Sequence, residues 1–138
     1  MIVLDTNVVS EILKGQHAAP PVRTWFRSLR ETPVTTLITR AELLSGVASL
    51  PEGRRRDELG ADIQRALMTL GACLPLTEEM ADRYAECVAR RRLSGRPLAG
   101  FDGLIAATCL TVDASLATRN VRDFEGLGLT LINPWEFQ

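Results

Sequence analysis

The chain has 138 residues, 46% of them apolar and 24% charged, with a net charge of −1. That is enough for one ordinary globular domain spanning 1–138 with a single real core. No run approaches the roughly 18 apolar residues of a membrane span, no basic segment precedes the first apolar run as in a signal peptide, and no global basic field advertises nucleic acid, so the expected setting is the cytoplasm.

In chain order, residues 1–4 (MIVL) are continuously apolar and read as a fully buried strand. After Pro20-Pro21, the residues Val22, Trp25, Phe26 and Leu29 recur at i, i+3, i+4, i+7, which predicts an amphipathic helix over 20–30. Residues 33–37 (PVTTL) form a short β-rich run. Thr39 then opens a helix that runs to about Ser49 and is stopped by Pro51. Ile63, Ala66, Leu67 and Leu70 give a further helical face ended by Gly71, and ACLPL is a weak strand. A long helix is expected from Thr77 to about Ser94. FDGLIAATCLTV is apolar nearly all round and reads as a buried helix, SLAT and LTLI read as two late strands, and NPWEF closes the chain. Strands alternating with helices predict an α/β fold whose parallel sheet is covered on both faces.

In such a sheet, ligands bind beyond the carboxyl ends of the strands, where strand order reverses. Asp5 lies at that place, and stability alone rarely ends a buried strand on a carboxylate. Glu42 falls near the start of the helix opened by Thr39, Asp102 opens the buried helix, and Asn120 and Asp123 follow SLAT. Carboxylates brought together stay ionised only beside a cation. Oxygen donors without His or Cys suit Mg²⁺, with Mn²⁺ as the alternative. Such an ion can activate water and stabilise charge at phosphorus. Each residue also has a local explanation. Thr39-x-x-Glu42 has the form of a capping box, Asp102 favours a helix dipole, and Asn120-x-x-Asp123 can be a cap.

The three cysteines, Cys73, Cys87 and Cys109, are far apart, and His17 is the single histidine. Neither a structural zinc site nor a disulfide framework is therefore expected, and the thiols are expected to pack as small hydrophobes in a reducing compartment. There are 15 arginines against one lysine, with runs at 54–56 and 90–92. These read either as solvated helix faces or as phosphate contacts. No P-loop, dinucleotide fingerprint or Asp-x-Asp phosphatase motif is present, and a Ser-His-Asp reading would rest on His17 alone.

Four segments, MIVLDTNVVSEIL, TRAELLSGV, RPLAGFDGLIAAT and LATRNVRDF…INPWEF, occur in this order over nearly the whole chain. Together they resemble the PIN-domain family, specifically the VapC-type toxins of VapBC toxin–antitoxin modules near the FitB-like branch. The resemblance implies a three-layer α/β/α fold with a central parallel sheet and a Mg²⁺-dependent endoribonuclease. Asp5, Glu42 and Asp102 match the three family acidic positions around the metal, with Asp5 and Asp102 as the ligands. The fourth acidic position falls where this chain has Asn120, with Asp123 three residues later, so either residue can fill it. Thr6 and Thr118 match small hydroxyl positions that orient carboxylates or water. With Arg119 and Arg96, candidates for contacting the RNA backbone, they make up the substrate-side set. The resemblance also implies a homodimer, a cognate VapB-type antitoxin covering the site, and contact with operator DNA only through that antitoxin. The competing readings are a catalytically silent PIN-like binding module and a nuclease directed at DNA.

Overall fold

The computed structural model describes residues 1–138. Five short strands, β1 (Ile2–Leu4), β2 (Thr35–Thr36), β3 (Cys73–Leu74), β4 (Ser115–Ala117) and β5 (Leu131–Ile132), all pair in parallel. β1 pairs with β4 through Val3↔Leu116 and Leu4↔Ala117, and β4 pairs with β5 through Ala117↔Ile132. On the other side, a bridge between Val3 and Val34 joins β1 to the β2–β3 pair, with Leu4 N–H donating to Val34 O at 2.9 Å. The spatial order is therefore β3-β2-β1-β4-β5. The chain moves outward from β1 to β3, then returns to the opposite side of β1, so the order reverses between β1 and β4.

Alternation along each strand sends neighbouring side chains to opposite faces. Val3 and Leu116 enter one core with Cys87, Ile105, Ala106 and Cys109. These come from α5 (Glu78–Leu93) and α6 (Gly100–Thr111). Leu4 and Ala117 enter the second core with Val8, Trp25, Leu43 and Ile63. Those residues lie on α1 (Thr6–Ile12), α2 (Pro20–Ser28), α3 (Leu37–Ala48) and α4 (Arg54–Thr69). This is the expected three-layer α/β/α arrangement. Both sides of MIVL are buried, which is why the run carries no polar alternation. α5 and α6 approach closely at Gly103, where a Cβ would stand 2.8 Å from Tyr84 Cε2. A side chain there would have to displace the Tyr84 ring and crowd Leu98.

Several boundaries differ from the sequence reading. α3 begins at Leu37, and its N-cap is Thr36, whose hydroxyl accepts from Thr39 N–H at 3.1 Å. Thr39 is thus a capped residue rather than the cap, and Glu42 lies in the second turn, outside any capping box. Parallel pairing of Thr36 with Leu74 fixes where the strand stops and the helix starts, and that partner is remote in sequence. α4 extends back to Arg54 and takes in the first arginine run. Cys87 and Cys109 are buried as expected, but Cys73 lies exposed on an edge strand. No helix is long and apolar enough to cross a membrane.

Candidate active site

Asp5 is the N-cap of α1, in extended conformation, directly after β1. Its carboxylate is buried, with 5% of the residue exposed, yet it is well supplied with donors. Oδ1 accepts from Thr6 N–H at 2.8 Å. Oδ2 accepts from the Thr118 hydroxyl at 2.7 Å and from Asn7 Nδ2 at 3.2 Å. Thr118 follows β4, so the hydrogen bond spans the point where strand order reverses. The side-chain oxygen of Asn7 accepts from Arg119 N–H at 3.1 Å, which ties the ends of β1 and β4 together a second time. The sequence DTN thus supplies one buried carboxylate and two of the groups that hold it still.

The second acidic group reaches the same place from α3. Glu42 Oε1 accepts from the Thr6 hydroxyl at 2.8 Å, and the Thr39 hydroxyl lies 3.1 Å from that of Thr6. Thr6 therefore links the backbone that caps Asp5 to the carboxylate of Glu42. The carboxylate of Asp102, in the first turn of α6, makes no hydrogen bond within the protein. Its carboxyl is pushed up from 3.8 to about 6, first by burial and then by the charges of Asp5, Asp123 and Glu42. Burial also raises Asp5, against the lowering effect of Thr118, Thr6 and Asn7, and Asp123 adds to the rise. Four carboxylates from four separate segments therefore share one field. Arg91, the cation that most opposes this field at Asp102, has a weaker influence than any of the three anions.

The position after β4 resolves into two different residues. Asn120 precedes and Asp123 lies within a 3₁₀ turn over Val121–Phe124, with Asp123 N–H donating to Asn120 O at 3.0 Å. The Asn120 side chain caps nothing and makes no hydrogen bond. Asp123, although exposed, acts on both Asp5 and Asp102. In a 3₁₀ turn, residues three apart eclipse, so the carboxylate arrives one turn late on the same side.

The remaining expected residues divide. Thr118 is fully buried against Asp5, so it orients the carboxylate and does not face substrate directly. Thr6 holds Glu42. Arg119 is exposed at the rim, its guanidinium 5.1 Å from the Trp135 ring centroid. Arg96 is committed elsewhere: Nη2 donates to Arg122 O at 2.7 Å and pairs with Glu125 at 3.1 Å.

Arg91 belongs with Arg96, and the sequence reading missed it. The residue is buried, and it is neither a solvated face nor a phosphate contact. Nε donates to Arg96 O at 2.7 Å, while Nη1 donates to Glu125 O at 2.9 Å and Arg122 O at 3.2 Å. Arg91 thereby pins the segment carrying Asp123 to α5. A signal was present, because Met80, Tyr84, Cys87 and Arg91 continue one helical face at spacings of 4, 3 and 4.

The donors available are all oxygens, and the field is strongly negative, which fits a hard divalent cation. No three acidic side chains are close enough together to close on one ion as they stand. A cation here would take one or two carboxylate oxygens directly and complete its shell with water, as Mg²⁺ favours.

With this geometry in view, residues 2–128 match the family model of the PIN domain. The chain belongs to the PIN-domain family. This PIN domain is 38% identical to the VapC ribonuclease Y4jK of Sinorhizobium fredii over 140 residues, covering 99% of each chain. It is 36% identical to toxin FitB of Neisseria gonorrhoeae, covering 98% of this chain and 99% of that one. Among solved structures, it superimposes on a chain of FitAB bound to an IR36 DNA fragment with a TM-score of 0.90 at 33% identity, covering 100% of this PIN domain and 98% of that chain.

Proposed function

We propose that this PIN domain is a Mg²⁺-dependent endoribonuclease, the toxin of a type II toxin–antitoxin pair, acting in the cytoplasm. The observation that carries the reading is the position of Asp5. It is buried at the reversal of strand order and held by three donors, and its charge adds to those of Asp123 and Glu42 in raising the Asp102 carboxyl. Relatives that match over nearly the full chain are named as a VapC ribonuclease and a toxin, which supports the same reading.

Asp5 and Asp102 would hold the ion, with Mn²⁺ able to replace Mg²⁺ on the same oxygens. When bound, the ion lowers the pKa of a water and offsets charge building on the phosphoryl oxygens. Asp5 keeps one orientation because the amide and hydroxyl donors fix both of its oxygens. Glu42, fixed through Oε1 by Thr6, has its second oxygen free to orient the attacking water and take its proton. Asp123 adds negative charge that acts on both Asp5 and Asp102. Arg119 at the rim offers a cation to the neighbouring backbone phosphate.

A buried, acidic centre of this kind also receives a partner's arginine well. The reading therefore includes a VapB-type antitoxin that covers the site, a homodimer, and operator DNA contacted only through the antitoxin. The test uses purified protein with labelled RNA and DNA. RNA cleavage is expected with Mg²⁺ or Mn²⁺, to be abolished by EDTA and by Asp5→Asn. Cleavage of DNA alone would make this a DNA-directed enzyme. RNA cleavage undiminished in excess chelator would overturn the metal requirement. Binding without cleavage of either polymer would leave a silent binding module.

A further inference from the structure

Gly46 lies in the interior of α3, one turn beyond Glu42 and on the same face of the helix. An interior helical glycine costs stability relative to alanine, so it calls for a reason. Packing supplies none, because a Cβ at Gly46 would meet nothing within 4 Å. Glycine is also used where a ligand must approach the backbone closely.

Two open grooves meet at this residue. One, of about 460 Å³ between α1, α3 and α4, has an apolar floor that includes Leu43, Leu59 and Ile63, and it opens at one end onto Thr6 and Glu42. Its rim carries Lys14 and Arg55. Arg55 makes no ion pair, while Lys14 is bound to Glu11 at 2.6 Å and the Asp62 carboxylate is taken by Arg65. The other groove, of about 500 Å³, lies across α3 and is lined by Ser45, Ser49 and Phe101 as well as Glu42 and Gly46. Phe101 is 55% exposed, and its neighbour in sequence is Asp102.

We infer that Gly46 is the saddle on which single-stranded RNA crosses α3 beside the acidic centre, with one base entering the apolar groove and the next stacking on Phe101. The inference rests on the ribonuclease reading and deepens it. Unstacked bases need an apolar slot or an aromatic face, and their phosphates need unpaired cations. Arg55 supplies such a cation at the mouth of the apolar groove. The missing side chain at residue 46 lowers the ridge between the two grooves, so the sugar–phosphate chain can pass close to Glu42.

Cleavage kinetics on a single-stranded RNA oligonucleotide test this with Gly46→Leu, Gly46→Ala and Phe101→Ala. Gly46→Leu should fold at least as well as wild type, and KM should rise about tenfold or more as the saddle is blocked. Phe101→Ala should raise KM about tenfold through the lost stacking. Gly46→Ala should give a smaller rise than Gly46→Leu. Calorimetric Mg²⁺ affinity and the mass in solution should not change in any of the three. RNA cleavage by the wild type with unaltered KM in both Gly46→Leu and Phe101→Ala would overturn the saddle and leave the ribonuclease reading standing. A shift in oligomeric mass, or a loss of protein-partner binding with KM unchanged, would overturn it as well, by making this face a protein interface. No RNA cleavage by the wild type would remove both readings.

Discussion

Replacing Asp102 by Asn should stabilise the metal-free protein while abolishing cleavage. The folded protein raises the Asp102 carboxyl from 3.8 to about 6 through burial and the charges of Asp5, Asp123 and Glu42. Its proton is therefore held more tightly in the folded state than in the unfolded chain. The folded state is penalised progressively as pH rises from about 4 to about 6, and the penalty is complete above that range. A displacement of this size corresponds to about 3 kcal/mol at most. Partial exposure and solvent screening reduce the expected value to about 1–2 kcal/mol. Asn removes the charge at nearly constant volume, and Asp102 accepts no hydrogen bond within the protein that the exchange would break. For a chain of this length, the gain is a rise in Tm of about 4–7 °C near neutral pH. The assay is thermal unfolding of wild type and Asp102→Asn in EDTA, near pH 7.5 and near pH 4. The difference should be full at the higher pH and nearly vanish at the lower. Adding Mg²⁺ should then stabilise the wild type more than the variant and narrow the gap. A variant no more stable than wild type near neutral pH in EDTA would refute the picture of four mutually repelling carboxylates. A gain equal at both pH values would refute it too, by tracing the effect to packing.

Arg91→Met should cost about 2–4 kcal/mol, because three backbone carbonyls lose a charged donor in a buried place. Urea unfolding measures the cost, and faster hydrogen exchange over residues 121–125 should accompany it. If Mg²⁺ binds as proposed, Asp123→Ala should lower its affinity and raise the Mg²⁺ concentration needed for half-maximal cleavage, and Asn120→Asp should do the opposite, since charge near Asp5 and Asp102 sets the attraction for the cation. A Mg²⁺ titration in which both variants match wild type would confine the metal site to Asp5, Glu42 and Asp102. Thr35→Val should be neutral or stabilising by up to about 1 kcal/mol, because the Thr35 hydroxyl is buried without a partner. A clear loss of Tm in that variant would mean the hydroxyl is hydrogen-bonded.

The sequence by itself determined the elements whose signal is local. MIVL declares a strand buried on both faces, the Val22–Leu29 spacing declares a helix, and Asp5 declares a carboxylate where a strand in an open sheet ends. The four ordered segments were enough to carry the family resemblance, which the match over residues 2–128 bears out. What only the tertiary structure decided rests on partners far apart in sequence. Thr36 rather than Thr39 caps α3 because pairing with Leu74 ends β2 there, and this moves Glu42 out of a capping box and beside Thr6. Thr118 became a buried prop for Asp5 because the β1–β4 register brings the two strand ends level, a contact 113 residues apart. Arg91 left the charged run and became a buried clasp because the loop it grips folds back over α5. Asp123 adds a fourth negative charge to the field at Asp5 and Asp102 because the 3₁₀ turn after β4 keeps it within Coulombic range of both. A residue's type limits the chemistry it can perform. Its role is set by which distant groups the sheet order and the loop connections bring within hydrogen-bonding or Coulombic range, and no local window of sequence contains that information.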